Sequence, residues 1–135
     1  KEIIARDNKK VLALKHFAVG LSQTEQARLV RGGACGMSTF MSYYILKAVA
    51  AFDKAAAIDM MKQYYGGMLD KGATTFWEDF DIEWIKGSSR IDVFPQEGET
   101  DIHADYGAYC YKGLRHSLCH GWSAGVIAFM KEEGI

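Results

Sequence analysis

Apolar residues recur at helical spacing from the start of the chain. Val11, Leu14, Phe17, Ala18 and Leu21 fall three and four apart, opposite a polar face with Arg6, Asp7, Lys9 and Lys10. This predicts an amphipathic helix over residues 3–21 that ends near Gly20. Ser22-Gln23-Thr24-Glu25 then has the form of a capping box, in which serine and glutamate side chains take up each other's free backbone donors. A second helix follows to about Arg31 and is broken by Gly32-Gly33. Residues 39–51 (TFMSYYILKAVAA) are apolar on almost every side, which fits a buried helix or a long strand. Asp53 is placed as an N-cap, and residues 54–70 run helically through Ile58, Met61, Tyr65 and Leu69. From Ser117 a last helix to about residue 132 carries Leu118, Trp122, Val126, Phe129 and Met130 on one face. The fold class predicted is all-α, about five helices in antiparallel hairpins.

Between the fourth and last helices the pattern lapses. Residues 79–105 hold eight acids (Asp79, Asp81, Glu83, Asp92, Glu97, Glu99, Asp101, Asp105) against Lys86 and Arg90, so the rest of the chain carries about +5. A segment this long without a period is a functional loop or a linker, and its tryptophan, Ile82, Ile85, Ile91 and Phe94 argue for an ordered acidic loop. Over all 135 residues the net charge is −1, which leaves no basic field for nucleic acid or an anionic membrane surface. Lys47, Asp53 and Lys54 interrupt the richest apolar run before it reaches spanning length. The chain starts at Lys1, which reads as a cut or processed end, and its length suggests one domain. Cys35, Cys110 and Cys119 cannot all pair with one another and form no C-x-x-C, so free thiols are expected and the localisation stays unknown.

Three constellations could carry chemistry. In Gly72-Ala73-Thr74-Thr75-Phe76-Trp77-Glu78-Asp79 a carboxylate stands beside an aromatic wall, which suits sugar binding and equally suits packing with a solvated acid. In His116-Ser117-Leu118-Cys119-His120 the histidines are four apart, as on one helix face. With Cys110 and His103 they could bind zinc, but no fourth ligand has a favoured spacing, and core or active-site histidines are the plainer reading. Met60, Met61, Tyr64, Tyr65 and Met68 form a stripe that core packing explains without a cofactor.

The runs ARLVRGG, GMSTFMSYYILKAV, the helix ending MLDKG, GATTFWEDFD and SLCHGWSAG come in that order. Together they make residues 5–135 resemble the C-terminal part of the catalytic domain of bacterial α-L-rhamnosidases, glycoside hydrolase family 78. The resemblance implies an (α/α)6 barrel of six helical hairpins and hydrolysis with inversion, in which one carboxylic acid protonates the leaving oxygen and another activates water. It implies that Glu78 is the general base, that Trp77 shapes the pocket and that His120 contacts the sugar. It calls for no cofactor and no metal, and its substrate is a rhamnose-containing carbohydrate or glycoside. Cys119 stands where the family usually has asparagine, and His120 follows Glu78 by 42 positions, with an acidic insertion between them.

The family's general acid and most of its sugar-binding residues lie in the first half of the barrel. Twelve helices make such a barrel and about five can be placed here, so the chain is expected to be an incomplete (α/α)6 barrel. It would then pair with the remaining part of the catalytic domain or self-associate, with helix 39–51 leaving an apolar patch. Two alternatives stay open: part of another six-hairpin glycosidase, or a non-catalytic helical interaction or structural module.

Overall fold

Two helices start at side chains that take up the free N–H groups of their first turns. The computed structural model describes residues 2–103 and 116–135. In it α1 spans Glu2–Val19, α2 Gln23–Val30, α3 Ser42–Ala50, α4 Lys54–Asp70 and α5 Gly125–Glu133, with short 3₁₀ helices at Ile82–Ile85 and Gly121–Ala124. Both halves of the capping box form: Glu25 N–H donates to Ser22 Oγ at 3.4 Å, and Ser22 N–H donates to Glu25 Oε2 at 3.0 Å. Asp53 Oδ1 accepts from Ala56 N–H at 2.9 Å, and α4 has the expected bounds. Among the described residues the secondary structure is helical, with one isolated parallel bridge between Ser88 and Thr100. The chain is all-α there, and no described helix is long and apolar enough to cross a membrane.

Helix α3 is the centre of the fold. Ile45, Leu46, Ala48 and Val49 are fully buried, and α1, α2, α4 and α5 all pack on this helix. Each large side chain buried this way contributes roughly 1.5–3 kcal/mol. The helix starts at Ser42, later than the apolar run, because Thr39, Phe40 and Met41 form the turn that enters it. No residue of α3 is exposed, so the expected apolar patch on this helix is not there. Gly125 lets α5 press against it: a Cβ at that position would lie 2.8 Å from Tyr43 Cβ.

The face that α1 turns inward differs from the one expected. Lys9, Leu12 and Ala13 are buried, whereas Val11, Leu14 and Phe17 are 55–61% exposed. Lys9 Nζ donates to Gly33 O at 2.9 Å and Cys35 O at 2.6 Å, in the loop after α2. Residues 9, 12 and 13 share a helix face, so these two bonds turn that stripe toward the core and leave the more apolar stripe uncovered. The side chains of Arg6 and Asp7 lie outside those described.

The acidic segment is an ordered loop through residue 103, tied to the end of α4. Ile91 N–H donates to Lys71 O at 3.0 Å, Lys71 Nζ to Ser88 O at 2.6 Å, and Arg90 Nη1 to Asp70 O at 2.9 Å. Asp79 and Asp81 are buried, and Asp81 Oδ1 accepts from Glu83 N–H at 3.1 Å to start the first 3₁₀ helix. That helix sits close to α4, where a Cβ on Gly67 would lie 2.5 Å from Ile85 Cδ1. Asp105 and Cys110 fall outside the described residues.

Candidate functional site

After α4 the chain reverses at Gly72, whose φ of +92° is open to glycine and strained for other residues. Ala73 N–H donates back to Met68 O at 3.1 Å and closes the helix end. The next residues run beside 117–120 and bond to them along the backbone. Glu78 N–H donates to Ser117 O at 2.8 Å, His120 N–H to Phe76 O at 2.7 Å, and Thr75 Oγ1 donates to Leu118 O. This pairing explains why residues 117–120 are not helical as expected: the N–H groups of Ser117 and His120 are directed across to Glu78 and Phe76, and that of Cys119 to Ser117 Oγ. The last helix starts at Gly125 instead, after the second 3₁₀ helix.

Glu78 is half-buried and, besides its N–H, is held by three further hydrogen bonds. Its Oε2 accepts from Ser117 N–H at 2.8 Å, and its carbonyl oxygen accepts from Thr39 Oγ1 at 2.5 Å and Trp122 Nε1 at 2.8 Å. Oε1 has no hydrogen-bond partner among the described residues. A carboxylate with one oxygen fixed and the other open is oriented yet can still accept a proton from water, as a general base must.

Trp77 does not wall an open pocket. It is fully buried, with ring centroids 5.8 Å from Phe80 and 6.1 Å from His116, so it offers no face to a ligand. Its carbonyl accepts from Ser123 Oγ, while its Nε1 has no partner among the described residues. Alternation accounts for the difference, since the chain turns Trp77 inward where Glu78 reaches the surface.

His116 is 1% exposed among Trp77, Trp84 and His103, and neither ring nitrogen has a well-formed hydrogen bond among the described residues. Burial, with the neighbouring His103 adding to it, pushes its pKa down to about 4, so the ring is neutral at pH 7. His103 Nε2 donates to His116 O at 2.7 Å and fixes the entry into the 117–120 segment. His116 is thus a core histidine, though an unsatisfied one.

His120 is half-buried, and its ring centroid lies 4.3 Å from that of Trp122. Trp122 therefore touches His120 with its ring and Glu78 with its N–H, and it joins the two candidate residues. The sequence pattern puts Trp122 on one face of the last helix with Val126 and Phe129, whereas it lies in the preceding 3₁₀ helix and is 40% exposed. Thr39 and Ser117 were likewise missed as holders of Glu78. Their only signal was a hydroxyl residue inside each of the runs GMSTFMSYYILKAV and SLCHGWSAG.

His116 and His120 share no helix face, and among the described residues no three His, Cys, Asp or Glu side chains gather as metal ligands would. Cys35 and Cys119 are free thiols. The methionine–tyrosine stripe packs in the core. Met60, Met61, Tyr64 and Met68 are buried, and Tyr65 OH lies 2.6 Å from Ser42 Oγ and donates to Ser123 O at 3.1 Å. Beside it, Leu69, Phe76, Ile127 and Met130 help line an apolar groove of about 430 Å³ between α4 and α5. Compared with models of protein families, with curated proteins and with solved structures, the chain matches none of them.

Proposed function

We propose that these residues form the C-terminal portion of an (α/α)6 catalytic domain, part of an inverting glycoside hydrolase that releases terminal α-L-rhamnose from glycosides. Glu78 is the general base and His120 a sugar ligand. The observation that carries the reading is the way Ser117 N–H fixes one oxygen of Glu78, on the segment that also carries His120. In the proposed reaction Glu78 takes a proton from water as the water attacks the anomeric carbon. A second carboxylic acid, contributed by the missing half of the barrel, protonates the departing oxygen. Trp77 has no contact role in this scheme, because its ring is enclosed.

One carboxylate cannot do both tasks, so the 135-residue chain alone is expected to show no glycosidase turnover. Turnover by the pure chain, abolished in Glu78→Gln, would overturn that division of labour. In the parent enzyme Glu78→Gln keeps shape and hydrogen bonding but cannot accept the proton. kcat should then fall by about 10²–10⁴ with the melting temperature nearly unchanged. A changed melting temperature with kcat intact would assign Glu78 to packing instead. His120→Ala should raise KM and lower kcat/KM. A second reading, a helical interaction module, is favoured by the uncovered stripe Val11, Leu14 and Phe17 and by the α4–α5 groove. It predicts association without catalysis.

A further inference from the structure

The acidic segment after Glu78 has no part in the scheme above, yet its far end reaches back to the residues that hold the candidate base. That end is anchored. Thr100 N–H donates to Gly87 O and Ser89 N–H to Thr100 O, both at 2.9 Å, Ile102 is fully buried, and Asp101 Oδ1 accepts from His103 N–H at 2.9 Å. His103 is thereby set against His116, with ring centroids 5.2 Å apart at 81°. We infer that His103 is a positioning residue for Glu78, acting through the peptide group between His116 and Ser117. The inference rests on the glycosidase reading above and adds to it a role for the acidic insertion.

Two hydrogen bonds to one peptide group carry it. The carbonyl oxygen of His116 accepts from His103 Nε2 at 2.7 Å, and the N–H of Ser117 donates to Glu78 Oε2 at 2.8 Å. A carbonyl oxygen can only accept, so Nε2 of His103 carries a proton. The bonds then form one chain, from imidazole N–H through the peptide to the carboxylate. Because a peptide group is planar and rigid, fixing its oxygen also fixes the direction of its N–H. Bonds in such a chain polarise one another, so a donor on the carbonyl strengthens the amide's bond to a charged acceptor. The neighbouring pairings do not do this work. Glu78 N–H on Ser117 O and His120 N–H on Phe76 O hold the 117–118 and 119–120 peptides, whereas the 116–117 peptide is held, among the described residues, by His103 and Glu78. Holding Oε2 in this way leaves Oε1 as the oxygen that takes a proton from water.

The test is amide hydrogen exchange, read by NMR on the 135-residue chain. His103→Ala should speed exchange of the Ser117 amide about tenfold, while the Glu78 and His120 amides, which make the flanking bonds, keep their rates. His103→Gln offers an amide N–H in place of Nε2–H and should restore most of the protection. A histidine that merely fills space would move all three amides together and gain nothing from glutamine; that result, or an unchanged Ser117 amide, would overturn the inference. If His103→Ala fails to fold by circular dichroism, nitrogen-edited spectra of the wild-type histidines take its place. The His103 proton should then be found on Nε2, and a ring protonated on Nδ1 alone would overturn the inference. In the parent enzyme His103→Ala should lower kcat about tenfold with KM nearly unchanged. An unchanged kcat, in an enzyme that Glu78→Gln disables, would also overturn it. An intact kcat in Glu78→Gln would instead remove the glycosidase reading, and the exchange rates would still decide whether His103 positions the carboxylate.

Discussion

His116 makes the stability of this fold depend on pH in a way that can be worked out from its surroundings. The imidazole is 1% exposed, neither ring nitrogen has a well-formed hydrogen bond among the described residues, and its pKa falls from 6.5 to about 4. A histidine with a lowered folded pKa stays neutral in the native state while the unfolded chain takes up a proton, so stability falls as pH drops from 6.5 toward 4. Over the whole window the loss is about 3 kcal/mol, at 1.36 kcal/mol per pKa unit. Between pH 7.5 and pH 5 it is about 2 kcal/mol. Burial is the main cause; the charge of His103 lowers the pKa further, while Glu78, Asp101 and the His103 backbone raise it. His116→Leu removes both orphaned nitrogens and the titration together. Urea unfolding of wild type and variant at pH 7.5 and pH 5 isolates the effect, since the carboxylates titrate in both proteins. The variant should match or exceed wild type at pH 7.5 and lose about 2 kcal/mol less on acidification. Equal losses in the two proteins would refute the reasoning, and the ring would then have to be partnered or solvated.

Two further predictions test the scaffold. Ser22→Ala removes the hydroxyl half of the capping box and should cost about 1 kcal/mol by urea unfolding; no change would mean α2 is fixed by packing alone. Tyr64→Phe leaves the buried Phe80 carbonyl without the phenolic donor 2.5 Å away, and should cost about 1–3 kcal/mol in the same assay. An unchanged midpoint would show that water replaces the hydroxyl.

What could be read in the chain was local. Ser22 and Glu25, or Asp53 and the residue three beyond it, act within one turn, so the starts of α2 and α4 follow from neighbouring letters alone. The orientation of α1 was not legible because the helix carries two stripes at helical spacing. The choice between them is made by Lys9 reaching carbonyls more than twenty residues away. The non-helical course of 117–120 has the same kind of cause, since Ser117 and His120 spend their N–H groups on Glu78 and Phe76. Glu78 was singled out by its motif, while its supports, Thr39, Ser117 and Trp122, come from three places in the sequence and are visible only in the fold.

The central claim is that Glu78 activates water in an inverting reaction, and the anomeric configuration of the first-formed product tests it most directly. An inverting site delivers water to the face opposite the leaving group, from carboxyls about 6.5–9.5 Å apart. Proton NMR of the parent enzyme acting on an aryl α-L-rhamnoside should show β-L-rhamnose first, with the α-anomer appearing later by mutarotation. The same spectrum from Glu78→Gln should show this β-anomer forming about 10²–10⁴ times more slowly. α-L-Rhamnose as the first product would mean a covalent, retaining reaction and would contradict the role assigned to Glu78.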